Sequence, residues 1–120
     1  MFSDLYSIDS VSHQDGTSTW RVSLNPRSVI YSVHFPGNPI TPGACQLEMM
    51  RSLASARIGR DMTVAKLRNI KYLQLIDPRT TSSFDVRMTF SQEEGETLTR
   101  CSAVISDGDR TFTKASLILK

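Results

Sequence analysis

The sequence predicts an α+β fold in which a largely antiparallel sheet covers one long helix. Two observations carry this. Apolar and polar residues alternate along most of the chain, the period of two that marks half-buried strands. Trp20, Val22 and Leu24 alternate with Arg21 and Ser23, and Phe84, Val86, Met88 and Phe90 alternate with Asp85, Arg87 and Thr89. Only one stretch, from about Pro42 to Ile58, reads as a long helix. About six strands against one helix is an α+β arrangement.

Further strands fit Leu5 to Val11, Val64 to Leu73, Thr97 to Ser106 and Thr111 to Leu119. Hairpin corners are expected at Asp15-Gly16, Glu94-Gly95 and Asp107-Gly108, because Gly supplies positive φ without a steric cost. Thr41 stands where an N-cap is wanted, Pro42 falls in the first turn and Gly59 stops the helix. At about 100° per residue, Leu47, Met50, Ala54 and Ile58 form one stripe, while Ala44, Cys45, Ser52, Ser55, Ala56 and Gly59 gather on another side. Glu48 stands in the middle of the small residues. A long charged side chain there needs a reason.

The bulk numbers narrow the classes of function. A length of 120 residues suits a single domain spanning 1–120. With 39% hydrophobic and 22% charged residues the chain has the composition of a folded globular protein rather than a disordered one. No apolar run approaches bilayer length, and the start MFSDLYSIDS has neither a basic nor an apolar signal region, so a cytoplasmic protein with no membrane contact is expected. Cys45 and Cys101 belong to no CxxC or Cys/His cluster, so metal binding has no support. Cys45 reads as a small core-filling thiol in preference to a nucleophile at a helix start. A net charge of +2 is too small to imply nucleic acid but tolerates an acidic protein partner. Lys66, Arg68, Lys71, Arg79 and Arg87 either guide such a partner or decorate a solvated face. His13, beside the Asp15-Gly16 corner, is given no role.

Residues 34 to 48 read HFPGNPITPGACQLE. Fixed Pro angles and Gly-permitted conformations specify one path for the chain, more than a mere connector requires. The segment delivers an imidazole at His34, unpaired N–H groups around Gly43 and Ala44 at the helix start, and a carboxyl at Glu48. These suit elimination of water from an acyl thioester. Imidazole titrates near neutrality and can take the proton next to the carbonyl. N–H groups at a helix start stabilise charge growing on the thioester oxygen, and Gly43 has nothing projecting from its Cα. A carboxyl whose pKa is raised by an apolar setting can protonate the leaving hydroxyl, and Glu48 is the candidate. Against that stands a plain structural role, a salt bridge from Glu48 to Arg51 one turn away.

The run from His34 to Glu48 resembles the signature of bacterial 3-hydroxyacyl-[acyl carrier protein] dehydratases of the FabA/FabZ type, His-Phe-Pro-Gly-x-Pro-x-x-Pro-Gly leading into a helix with an acidic residue. VSLNPRSVIYSVHFPG looks like the strand and turn before the histidine, and LRNIKYLQLIDPRTTSSFDV like the strand pair after the helix. The resemblance implies a hot-dog fold, with a curved antiparallel sheet wrapped around the central helix. It implies a homodimer, or a larger assembly of dimers, whose sites combine one subunit's histidine with the other's acid. His34 is then the base and Glu48 the acid, while Gly43, Ala44, Phe35 and Pro42 bind substrate, which arrives as a 3-hydroxyacyl chain on acyl carrier protein. No cofactor is implied. Glutamate at 48 resembles the branch that dehydrates without isomerising. Val33 and Ser52 depart from the Gly and Gln that many members carry, and the short N-terminal segment looks like compact members associated with specialised lipid or polyene assembly. A strained or cis peptide near His34-Phe35 is a further family-like expectation. Two other functions fit the same fold: a hot-dog acyl thioesterase, and a non-catalytic acyl-binding or assembly subunit.

Overall fold

In the computed structural model, which describes residues 4–33, 37–92 and 97–120, the elements run β1 (Tyr6–Gln14), β2 (Thr17–Leu24), α1 (Val29–Val33), α2 (Gly43–Ile58), β3 (Val64–Tyr72), β4 (Ser83–Gln92), β5 (Thr99–Asp107) and β6 (Arg110–Leu119). The strands form one sheet in the order β1-β2-β4-β5-β6-β3, with every neighbouring pair antiparallel. Fold class and strand placement follow the alternation pattern.

The period of two puts one side of each strand into the core, and the register aligns those sides. Trp20 pairs with Val86, Val86 with Ile105 and Ile105 with Thr113, so one row of inward side chains crosses four strands. Trp20, Val86, Ile105 and Thr113 are all buried. The core they help form also takes in Cys45, Met49, Met50, Leu53 and Ala54 of α2. Burying such side chains, at about 25 cal/mol per Å² of apolar surface, is what holds helix to sheet.

Turn chemistry accounts for the corners. Asp15 and Gly16 both have positive φ, 53° and 76°, the two-residue hairpin whose twist matches that of its strands. The corner expected at Asp107-Gly108 falls one residue later. Asp107 still pairs with Arg110, and Gly108 takes the positive φ of 61° with Asp109 beside it. The expected Glu94-Gly95 corner lies outside the described residues.

Three local expectations are corrected. Thr41 does not cap α2: its hydroxyl is hydrogen-bonded to Tyr31 Oη at 2.8 Å, and Pro42 is the N-cap, with ψ at 148° and no side-chain cap bond. The helix therefore opens at Gly43. The segment before the histidine is not strand up to its turn; after β2 it forms α1, where the hydroxyl of Ser28 accepts from the N–H of Ile30 and donates to Asp4. The stripes on α2 are also shifted, because the sheet covers Cys45, Gln46, Met49, Met50, Leu53 and Ala54, while Leu47 and Ile58 are half-buried and Ala44, Ala56 and Gly59 exposed. Gly59 does stop the helix, in the left-handed region at φ 93°.

β3 pairs on one side only, and Leu67, Tyr72, Leu73 and Leu75 on and after it are exposed. Among the described residues no helix is long and apolar enough to cross a membrane.

Candidate active site

The start of α2 is fastened to the sheet by buried polar groups. Thr41 donates its N–H to Ile76 O at 2.8 Å, and its own carbonyl accepts from Gln46 Nε2 at 3.2 Å. Thr113 on β6 donates to Gln46 Oε1 at 2.5 Å. Thr41, Gln46 and Thr113 are all buried, and each is hydrogen-bonded, as buried polar groups must be. Pro42 is thereby held where its carbonyl accepts from both Cys45 and Gln46, at 3.0 and 3.1 Å. The two preceding amides, of Gly43 and Ala44, have no hydrogen-bond acceptor among the described residues. They point out of the positive end of a sixteen-residue helix.

Gly43 is where something comes close. A Cβ there would lie 2.5 Å from Tyr72 Oη, so the phenol ring rests on the glycine Cα. Although half of Tyr72 is exposed, its hydroxyl end packs on Gly43, and that local loss of water pushes the hydroxyl above its ordinary pKa, which keeps it a proton donor. A cavity of about 250 Å³ opens at this point, lined by Ile40, Thr41, Pro42, Gly43, Gln46, Tyr72, Gln74 and Leu75.

Glu48 lines a different and larger cavity, of about 380 Å³, with Leu5, Tyr6 and Ile8 from the N-terminal strand region and Cys45, Met49 and Ser52 from the helix. The apolar wall expected for a raised carboxyl pKa is present. Arg51 outweighs it. Its Nε donates to Glu48 Oε2 at 2.9 Å and its Nη2 to Oε1 at 2.7 Å, which holds the carboxyl below the usual carboxylate range even though burial pushes it up. The salt bridge set out as the plain alternative therefore exists, and Glu48 is ionised in the single chain.

Within one chain Gly43 and Glu48 face separate cavities. His34 and Phe35, and with them the expected cis peptide, lie outside the described residues; α1 ends at Val33, immediately before them. Cys45 is buried, and its thiol is pushed up by burial, the opposite of an activated thiolate. Cys101 is pushed up to about 12 by the same cause. Cys45→Ser is expected to leave turnover within a few-fold of the parent; complete inactivation with an unchanged circular dichroism spectrum would revive a thiol nucleophile. His13 lies on β1, hydrogen-bonded through Nδ1 to Ser18 Oγ at 2.8 Å and edge-on to Trp20.

Residues 10–108 match the model of the ApeI-like family, described as ApeI dehydratase. The chain belongs to the ApeI-like dehydratase family. No match is found among curated proteins. An uncharacterised protein from Erwinia carotovora subsp. atroseptica is similar at 25% identity and a TM-score of 0.66, over 95% of this chain and 92% of that one. The dehydratase heterocomplex ApeI:P from Xenorhabdus doucetiae matches at 15% identity and a TM-score of 0.74, covering 94% and 96% of the two chains. A hypothetical thioesterase with coenzyme A from Streptococcus pneumoniae TIGR4 matches at 15% identity and a TM-score of 0.68, covering 99% and 88%. The fold of this ApeI-like chain is thus the hot-dog fold. Its family is that of the ApeI-like dehydratases, without the narrower FabA/FabZ assignment.

Sequence reasoning missed one residue of the candidate site. Tyr72 lies far from Gly43 along the chain, and only the pairing of Tyr72 with Thr113 and of Thr113 with Gln46 brings it there. Glu48 and Arg51 at i and i+3 did announce their pair, but the spacing carried no sign of the cavity beside it.

Proposed function

We propose that this ApeI-like protein dehydrates 3-hydroxyacyl thioesters on acyl carrier protein to trans-2-enoyl thioesters, in fatty acid or related lipid or polyene biosynthesis. One observation carries the reading: the amides of Gly43 and Ala44 stand without acceptors among the described residues, at the end of the HFPGNPITPG loop, and Gly43 lines a cavity. A thioester carbonyl placed there gains charge as His34 takes the proton from the adjacent carbon, and the two N–H groups meet that charge without reorganising. The C–O bond to the 3-hydroxyl then breaks, and Glu48, which Arg51 holds ionised at rest and which must first take up a proton from water, converts the departing hydroxide to water. Phe35 and Pro42 flank the acyl thioester. The chain works as a single hot-dog unit in a homodimer whose sites are shared, His34 from one subunit and Glu48 from the other. A heteromeric pairing, as in the Xenorhabdus ApeI:P complex, is the competing assembly.

A second reading is favoured by one observation. A carboxylate kept ionised by Arg51 can activate water, so Glu48 also suits a thioesterase. One assay separates the two. Crotonyl-acyl carrier protein is incubated with the protein while enoyl absorbance and free thiol are followed. Reversible loss of absorbance without thiol is the expected result, release of thiol means thioesterase, and neither change means a binding or assembly subunit.

A further inference from the structure

We propose that Arg51 is a positioning residue for Glu48: by holding both carboxyl oxygens it fixes where the acid points along its cavity. The role rests on the dehydratase reading, in which Glu48 donates to the leaving hydroxyl.

An exposed i, i+3 ion pair contributes little, because two long side chains must be ordered in water to make it. Arg51 is ordered by other means. Its Nη1 donates to the carbonyl of Met62 and to Asp61 Oδ1, both at 2.8 Å, on the side of the guanidinium away from Glu48. The Met62 segment is itself tied to the helix, since Met62 donates its N–H to Ser55 Oγ at 2.9 Å and Ser55 donates to the carbonyl of Arg51 at 2.8 Å. Met62 is buried. The guanidinium plane is thus fixed by the loop after α2, and its remaining edge presents two parallel N–H groups that match a carboxylate. Glu48 meets that edge with both oxygens, so its side-chain torsions are set by a group already immobile. Lys could not do this, because an ammonium offers a point charge with no fork.

Among the described residues, the other titratable groups around Glu48 are few. Asp61, after the helix, is a like charge and opposes Arg51; Cys45 from α2 and Tyr6 from the N-terminal strand line the cavity. Arg51 is the cation bound to the carboxyl. Its hydrogen bonds favour the ionised form, so removing it lets Glu48 hold its proton to higher pH.

The test uses the full chain as Arg51→Gln and Arg51→Lys beside the parent. Dehydration of 3-hydroxybutyryl-acyl carrier protein is measured across pH. The Glu48 carboxyl is followed in the substrate-free protein by ¹³C NMR of Glu-labelled chain, its resonance assigned by its absence in Glu48→Gln. Catalysis needs Glu48 protonated and His34 neutral at once; because Arg51 holds Glu48 below the usual carboxylate range while imidazole titrates near neutrality, the limb at the Glu48 titration is the acidic one, where activity rises to its plateau. In Arg51→Gln that acidic limb and the NMR midpoint should both move to higher pH, and the plateau kcat per protonated Glu48, the fraction being read from the NMR midpoint, should fall about tenfold with KM little changed, because orientation is lost and not affinity. Arg51→Lys should lose plateau activity as well, with the NMR midpoint between those of the parent and the Gln variant; it carries the test if Arg51→Gln does not fold. A midpoint unmoved in a folded variant overturns the proposal. So does a moved midpoint beside an unmoved activity limb, since Arg51 then acts on stability alone. A parent that does not dehydrate at any pH removes the dehydratase reading, while the NMR midpoints still decide whether Arg51 governs Glu48.

Discussion

Replacing His34 with Ala, or Glu48 with Gln, is expected to lower dehydration turnover by about two orders of magnitude or more while leaving the protein folded. The Glu48 substitution is the cleaner of the two in physical terms. Gln keeps the volume, and its carbonyl can still accept one of the two Arg51 N–H groups that Glu48 now takes. The Arg51 side chain is 25% exposed, so water reaches the N–H left over, and Nη1 keeps its bonds to Asp61 and Met62. What Gln cannot do is carry and release a proton. Turnover on 3-hydroxybutyryl-acyl carrier protein, with thermal melting as the control for folding, is the measurement. Unchanged turnover in either variant refutes that residue's part.

The fold was more legible than the site. Strands such as β4 announce themselves because Phe84, Val86 and Met88 all face a core while Arg87 and Thr89 do not, and a period of two survives any detail of packing. The short α1 was invisible for the same reason: five residues hold too little periodicity, and its start depends on Asp4 reaching Ser28 across the fold. The Thr41 cap failed because local preference lost to a tertiary partner, Tyr31. In the site, composition showed that Glu48 was out of place among small neighbours. It could not show that Arg51 would be anchored from behind by Met62, and therefore that the carboxyl would be held low and not high. Such contacts are set by where a loop returns, which no spacing along the helix encodes.

Mixing His34→Ala with Glu48→Gln, under conditions that exchange subunits, is expected to bring activity back from two inactive proteins. If each site takes its base from one chain and its acid from the other, a mixed dimer has one site with both lesions and one with none. Equal amounts pairing at random give about half mixed dimers, so roughly a quarter of the parent activity should return. Two observations make the shared arrangement physically reasonable. Gly43 and Glu48 line different cavities within a chain, and the flank of α2 that bears Ala44, Glu48 and Ser52 is not sealed by its own sheet. No recovery, with exchange demonstrated by native mass spectrometry, would place base and acid on one chain.

The strand order has a consequence for how the molecule is made. Among the described residues β3 is hydrogen-bonded only to β6, from which it is separated by residues 73–109, and Thr63 and Lys120 close the far end of that pair by exchanging backbone hydrogen bonds. A strand emerging from the ribosome ahead of β4 and β5 must therefore wait for both before it meets its partner. Closing so long a loop is an entropic cost met late, and contacts this distant in sequence slow folding. Meanwhile β3 carries an open edge with Leu67 and Tyr72 on it, the kind of surface that invites pairing with another nascent chain. Lys66, Arg68 and Lys71, interspersed along the same strand, put like charges on that edge and discourage two copies from joining there before β6 arrives.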